Sequence, residues 1–382
     1  MSNTSDARRG EEQQPAVRRV TVIGTGLIGT SVALALRSRD VDVTLSDPDD
    51  ACLRLACDLG AGRPLPKTTG LPSPPADLAV IAAPPAVVPA VLHEAQQRGL
   101  AHVYTDVASV KASVLAEAER LGCDMATFVP GHPMGGREKQ GPGAARADLF
   151  LGRSWALCPT DKADPQAVAV VAETARMCGA DPLLLEARAH DRAVALVSHA
   201  PHVASSAVAA RLLHGDETAL ALAGQGVRDV TRVAGGDPAM WTEILTHNAA
   251  PVAEVLHAMA ADLARTADAL SRVARTADDR TREPVCDLLE RGRSGHDRIP
   301  GKHGTVSRPD YTVIPVVIPD KPGSLGRLFA AASEAGVNIE DVRIEHTPGL
   351  PLGVAQVYVL PAAVDTLARA LAADGWSVHP GV

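Results

Sequence analysis

The sequence predicts an α/β chain in three folded parts: an N-terminal doubly wound parallel sheet, an all-helical second region and a small C-terminal ferredoxin-like domain. Three observations predict it. A glycine-rich turn, Gly24-x-Gly26-x-x-Gly29, joins an apolar run at residues 20–23 to an alanine- and leucine-rich helical segment. Strand-like and helix-like periods then alternate, the order that builds a parallel sheet with right-handed crossovers. From about Pro165 long alanine-rich helical runs take over, and after Tyr311 the order becomes β-α-β-β-α-β. At 382 residues the chain exceeds what one core organises. The divisions expected are a disordered tail at 1–17, a dinucleotide-binding domain at 18–163, a helical domain at 164–290, a linker at 291–309 and a last domain at 310–382.

The first turn carries chemistry. Gly24 permits the bend, Gly26 lets a backbone approach a pyrophosphate, and Gly29 lets the helix pack against the strand. Leu27 and Ile28 stand at the helix start, where N–H groups meet phosphates. Glycine-rich turns also occur for steric reasons alone, so context decides. The next strand ends in Asp47, 18 residues past Gly29, close to the separation of a ribose-binding carboxylate. The reading is Rossmann-like. Asp47 repels a 2′-phosphate, and Pro48, Asp49 and Asp50 supply no arginine, so the cofactor expected is NAD.

A helix at 49–59 and a proline-rich passage at 64–75 precede the apolar strand 77–83, which Pro84-Pro85 ends. A helix at 87–98 leads to the strand 102–106. Beyond it, Ser109 is either a helix N-cap or a group in the cofactor crevice, and Lys111 is more ambiguous, its plainest reading a solvated lysine near a helix start. His132, in Phe-Val-Pro-Gly-His-Pro-Met-Gly-Gly at 128–136, is biased to extended backbone by Pro133. Its imidazole suits proton transfer near neutral pH, or serves structure. A glycine-rich loop at 137–150 is expected over the site, followed by a strand at 154–158.

In the helical region the run 187–210 is interrupted at Ser198-His199-Ala200-Pro201-His202, where proline kinks a helix. Further helices are expected at 216–223, 240–248 and 251–289. Arg228 and Arg232 share a face if their segment is helical. A guanidinium fork suits a carboxylate, and the alternative is an ion pair with Asp229 or Asp237.

Composition narrows the class. Apolar residues at 46% and charged residues at 21% describe a soluble globular protein, and a net charge of −8 argues against a nucleic-acid partner. The first 15 residues lack a signal-peptide core, and no membrane span is expected. Cys52, Cys57, Cys123, Cys158, Cys178 and Cys286 form no ligand-spaced cluster, so no metal is expected. They read as reduced, mostly buried thiols of a cytoplasmic protein.

The motifs together, in order over about residues 20–289, resemble the prephenate and arogenate dehydrogenase family. They are the fingerprint with Asp47, DVASVK at 106–111, GHPMGG at 131–136, SHAPH at 198–202 and RDVTRV with GGDPAMW at 228–241. Gly135 and Ala200 replace an alanine and a leucine common in the family. The last domain resembles an ACT domain through DKPGSLG and GVNIED. The resemblance implies that His132 takes the proton of the substrate's ring hydroxyl and that Ser109 is its polar partner there. It implies that His202 and Ser198 line the substrate and nicotinamide side, and that Arg232 clamps a carboxylate. Arg228 is a weaker candidate, and His199 carries no family role. The substrate implied is prephenate, with arogenate as the alternative; the rival of another class is a non-catalytic dinucleotide-binding sensor. A tyrosine effector is expected at the ACT-like domain, with Asn338 facing the same place, and a homodimer is expected through the helical half.

Overall fold

The structure, a computed structural model, describes residues 17–66, 74–135, 140–275, 282–299, 311–346 and 351–379. The expected N-terminal tail lies outside them but for residue 17. The chain separates into two compact units, one ending at Ala260 and one beginning at Ala261.

The first unit opens with β1 (Arg19–Ile23), α1 (Leu27–Arg37), β2 (Asp42–Ser46), α2 (Asp50–Asp58), β3 (Arg63–Pro64), β4 (Ala76–Ile81), α3 (Val88–Gln97) and β5 (Ala101–Asp106). The five strands form a parallel sheet ordered β3-β2-β1-β4-β5. Winding reverses between β1 and β4, which opens a crevice at their carboxyl ends. Val20, Val22, Leu78, Val80 and Ile81 on these central strands are buried, as expected of strands covered on both faces.

Two fingerprint glycines are required by the fold itself. Gly24 has φ +101°, and a Cβ there would lie 2.1 Å from the Ala82 carbonyl oxygen. A Cβ on Gly29 would lie 2.0 Å from the Gly24 carbonyl oxygen. No side chain fits at such distances.

Next come α4 (Ala112–Arg120), β6 (Gly131–Pro133), β7 (Ser154–Leu157), α5 (Pro165–Met177) and β8 (Asp181–Leu184). β6, β7 and β8 make a second sheet, antiparallel between the first two and parallel between the last two. Here the expected boundary at 163 needs correction. Val170, Val171 and Ala175 of α5 share one core with Val20 and Val22 of β1, so the nucleotide-binding layers run on through β8. Alanine-rich composition signals a helix but not the surface it covers. The loop at 140–150 packs a short 3-10 turn, Pro142–Ala144, against α1 and α2, and Arg146 N donates to Ser31 Oγ at 3.1 Å. Residues 137–139 of the expected cover lie outside the described residues.

The helical region contains α6 (Ala187–Val194), a π turn (Ala195–His199), α7 (Ala200–Arg211), α8 (Glu217–Ala221), α9 (Gln225–Thr231), a 3-10 turn (Arg232–Gly235), α10 (Pro238–His247) and α11 (Ala249–Val273). The kink expected at Pro201 is the π turn just before it. Proline cannot donate in the ladder and crowds the preceding turn, and the wider π turn takes up both defects. The 28-residue run Ala187–His214 holds an 18-residue window of mean hydropathy 1.3, a length and composition that the core helix of a folded protein also reaches. Its centre carries His199 and His202, whose rings both contact Trp241 of α10.

The second unit contains the end of α11, α12 (Glu283–Asp297), β9 (Thr312–Pro319), α13 (Ser324–Glu334), β10 (Asp341–His346), β11 (Leu352–Val359), α14 (Val364–Ala373) and β12 (Ser377–Val378). The sheet is antiparallel with order β10-β11-β9-β12, the ferredoxin-like arrangement expected. Residues 291–297, expected as linker, are the end of α12. Arg291 reaches Asp262 of α11 at 2.9 and 3.1 Å and Asp287 at 2.9 Å. Of the remaining expected linker, residues 300–309 are outside the described residues. Asp320, Lys321, Gly323, Ser324, Ile344 and Gly353 help to line a cavity of about 430 Å³ at the start of α13. Asn338 is not among its lining residues and donates instead to Glu340 Oε1 at 2.7 Å, which corrects the expectation for it. Of the cysteines, Cys123, Cys158 and Cys178 are buried, Cys52 and Cys57 are half-buried and Cys286 is exposed, so burial covers only half of them.

Candidate active site

Three strand ends of the parallel sheet meet the crevice. At the first, α1 starts without a side-chain cap and without an acidic residue in its first turn. A Cβ on Gly26 would meet nothing within 4 Å. An uncapped helix start beside open space is what a pyrophosphate requires. Asp47 stands just past β2. Its Oδ2 accepts from Thr25 N at 2.5 Å and Thr25 Oγ1 at 2.9 Å, and its Oδ1 from Asp49 N at 2.8 Å. These bonds fix the carboxylate against the glycine turn and leave lone pairs for a ribose. The residues present therefore fit a dinucleotide.

At the third strand end, Lys111 is not the solvated lysine of its plainest reading. Lys111 is wholly buried. Its Nζ pairs with the equally buried Asp106 and donates to the Gly131 carbonyl at 2.7 Å. Asp106 also accepts from Ala108 N at 3.0 Å and Gly131 N at 3.1 Å. The pair thus clamps β5 to β6 and sets the backbone immediately before His132. Ser109 is half-buried on the intervening turn. It is not the N-cap of α4, a position taken by Lys111, and it forms no hydrogen bond with His132.

His132 meets a partner the sequence reading missed. Its Nδ1 lies 2.9 Å from Nε2 of His190 on α6, and the rings are edge-on. Nδ1 of His190 lies 2.9 Å from Oδ1 of Asp191. Asp191 in turn accepts from Lys111 N at 2.9 Å and Ala112 N at 2.8 Å, so it caps α4 from another element. Burial raises the Asp191 carboxyl, but the bonds from His190, Ala112 and Lys111 outweigh it and leave the pKa below its ordinary value. Burial, then the charges of His190, Lys111 and His199, hold His132 well below the ordinary imidazole value.

The helical region contributes the remaining groups. Asn248 Nδ2 donates to the Asp191 carbonyl at 2.8 Å and lies 3.0 Å from Nδ1 of buried His199. Burial brings the His199 pKa down to about 4. His202 stacks on Trp241, with ring centroids 3.6 Å apart, and its buried Nδ1 has no protein partner. Gly236 makes room for this stack, because a Cβ there would lie 2.6 Å from the Trp241 indole nitrogen. Ser198 is half-buried on the π turn. Arg228 on α9 and Arg232 at the following 3-10 turn are both exposed, on helical backbone where a loop-like stretch was expected. Asp229 accepts from Gln225 Nε2 at 2.7 Å, and Asp237 caps α10 through Met240 N. Ser205 Oγ of α7 donates to the Val230 carbonyl at 2.7 Å, which ties the arginine segment to the helix bearing His202. Across the crevice, Ala86 N donates to Glu243 Oε1 of α10 at 2.9 Å and ties the corner after β4 to the helical side.

The probable prephenate dehydrogenase NovF of Streptomyces niveus is 40% identical over 367 residues, spanning 95% of this chain and 100% of that protein. The chain belongs to the prephenate dehydrogenase family. The family model for the prephenate dehydrogenase nucleotide-binding domain matches residues 32–184, and that for the dimerization domain matches 186–282. The division between the two falls at the end of β8. The arogenate dehydrogenase structure from Synechocystis is 25% identical, with a TM-score of 0.59, over 73% of this chain and 99% of that one. The prephenate dehydrogenase of Aquifex aeolicus, solved with hydroxyphenyl propionate and NAD+, shares the fold at 24% identity and a TM-score of 0.63, covering 74% and 99%. This prephenate dehydrogenase family member is an oxidoreductase of the prephenate and arogenate dehydrogenase type, acting in aromatic amino acid biosynthesis.

Proposed function

We propose that the enzyme oxidatively decarboxylates prephenate to 4-hydroxyphenylpyruvate, with His132 as the base. The observation that carries the role of His132 is its placement. It sits on β6, pinned to the carboxyl end of β5, with Nδ1 engaged by His190 and Nε2 left for substrate. The cofactor is NAD. Gly24, Gly26, Leu27, Ile28 and Gly29 hold its pyrophosphate and Asp47 its adenosine ribose. When bound, NAD accepts the hydride from the carbon bearing the ring hydroxyl. His132 Nε2 takes the hydroxyl proton, and Ser109 orients the same hydroxyl. The carbonyl so formed is conjugated to the carbon bearing the ring carboxylate, and as carbon dioxide leaves, the electrons of the broken C–C bond pass through the ring to the carbonyl oxygen, giving the aromatic phenolate. His202 and Ser198 line the ring, with the orphaned His202 Nδ1 directed to a bound polar group. Arg232 binds a carboxylate.

Initial rates with prephenate and arogenate, each with NAD and NADP, test the reading. Higher kcat/KM for prephenate with NAD is expected, because Asp47 repels a 2′-phosphate. Predominant turnover of arogenate would replace the substrate, and turnover of neither would favour a non-catalytic sensor. Arg232→Ala is expected to raise the substrate KM about 10- to 100-fold, the loss of a charge-assisted bond. An unchanged KM moves the clamp elsewhere, with Arg228 next. The second unit is proposed as an ACT-like module whose cavity at Gly323 and Ser324 takes tyrosine, the pathway product. Calorimetry with tyrosine and rates in its presence read this directly, and inhibition is expected. A homodimer through the helical region is proposed on exposed Leu213, Leu222 and Val230, and a monomer mass by light scattering would refute it.

A further inference from the structure

We infer that His190 and Asp191 are positioning residues that set the tautomer of His132 and keep its Nε2 as the proton acceptor. The inference rests on the role proposed for His132 and extends it through two groups outside the expected site.

With His190 neutral, the hydrogen bonds allow one consistent assignment. The Asp191 carboxylate accepts from Lys111 N, Ala112 N and His190, and an ionised carboxylate can only accept. His190 Nδ1 must therefore carry a proton and donate it to Asp191. In a neutral imidazole the other nitrogen is then an acceptor, so His190 Nε2 accepts from His132. His132 Nδ1 is thereby the protonated nitrogen, and its Nε2 keeps the lone pair. As Nε2 takes up a proton, the positive charge that develops on His132 is met by a lone pair of His190, itself polarised by Asp191. The carboxylate does not receive the proton. It orients and stabilises, the division of labour seen when a buried acid supports a histidine base.

The rest of the surroundings agrees with this assignment. The charged and titratable groups acting on His132 besides His190 are Lys111, from the turn after β5 and paired with Asp106 at the end of that strand, and His199 from the π turn; Asp191 acts on His190. Lys111 is committed to Asp106 and Gly131, and His199 to Asn248, so neither competes for His132 Nδ1. Asn248 holds the Asp191 backbone carbonyl as well, which fixes the far end of the relay against the helical region. The Asp191 cap of α4 also links the relay to the turn bearing Ser109.

Steady-state kinetics and pH profiles of His190→Leu, His190→Gln and Asp191→Asn test the inference, with NAD affinity measured for each to show that the nucleotide site is intact. His190→Leu is expected to lower kcat about 10²-fold with KM nearly unchanged, within the range of a general-base contribution. His190→Gln places an amide oxygen where Nε2 accepts, and should recover most of that loss. Asp191→Asn should lower kcat and move its acid limb to lower pH, because removing the negative charge makes His132 a weaker base. Wild-type kcat in His190→Leu would overturn the relay. So would equal losses in the leucine and glutamine variants with the acid limb of Asp191→Asn unmoved, the signature of a structural role alone. If the wild-type enzyme turns over neither prephenate nor arogenate, the functional reading fails first, and the two failures are distinguishable.

Discussion

His132→Asn is expected to lower kcat about 10²–10⁴-fold and to leave the substrate KM within a few-fold, the pattern of a group that acts in the transition state. Asparagine keeps a polar group near Nδ1 but supplies no basic nitrogen at the Nε2 position. The substrate hydroxyl would then lose its proton only to water. The pH dependence gives a second reading. Burial first, and then His190, Lys111 and His199, push His132 well below its ordinary pKa of 6.5. Its neutral form therefore survives as pH falls through the range where a free imidazole takes up a proton. The acid limb of wild-type kcat should lie below pH 6.5, and activity should decline only under more acidic conditions. Stopped-flow or steady-state NADH production over a pH series measures both effects. A folded His132→Asn enzyme with near wild-type kcat would remove the histidine from the chemistry.

Lys111→Met is expected to cost about 3–5 kcal/mol of stability, because it leaves Asp106 charged, buried and without its cation. Both side chains are wholly buried, so solvent does not screen the loss. The damage should spread to the site. Lys111 Nζ also holds the Gly131 carbonyl, and that bond sets the backbone before His132. Urea denaturation of the intact protein reports the stability change, and kcat below the transition reports the displacement of His132. A second variant, Lys111→Met with Asp106→Asn, retains an acceptor for Ala108 N and Gly131 N and removes the stranded charge. It should recover part of the lost stability. A Lys111→Met protein as stable as wild type would show that the pair contributes nothing to the clamp.

Sequence alone determined the features that depend on near neighbours. The fingerprint glycines, Asp47 at a strand end and the order of strands are short-range patterns, and turn sterics make them legible. Gly24 and Gly29 have no alternative once the turn folds back on Ala82. The ferredoxin-like order of the last domain was legible for the same reason, since its strands alternate with period two. Tertiary structure decided how side chains are paired. Lys111 reads as a surface lysine because a helix start is usually exposed, and only the approach of β6 buries it. His190 and Asp191 lie in a polar, amphipathic helix segment with no local sign of chemistry, 58 and 80 residues from the groups they bind. α5 reads as part of a helical domain because its composition matches, yet its apolar face completes the core beneath β1. Periodicity specifies a helix and its buried face, but not which surface that face will meet. A proton acceptor is set by long-range hydrogen bonds, and those exist only after the layers have packed.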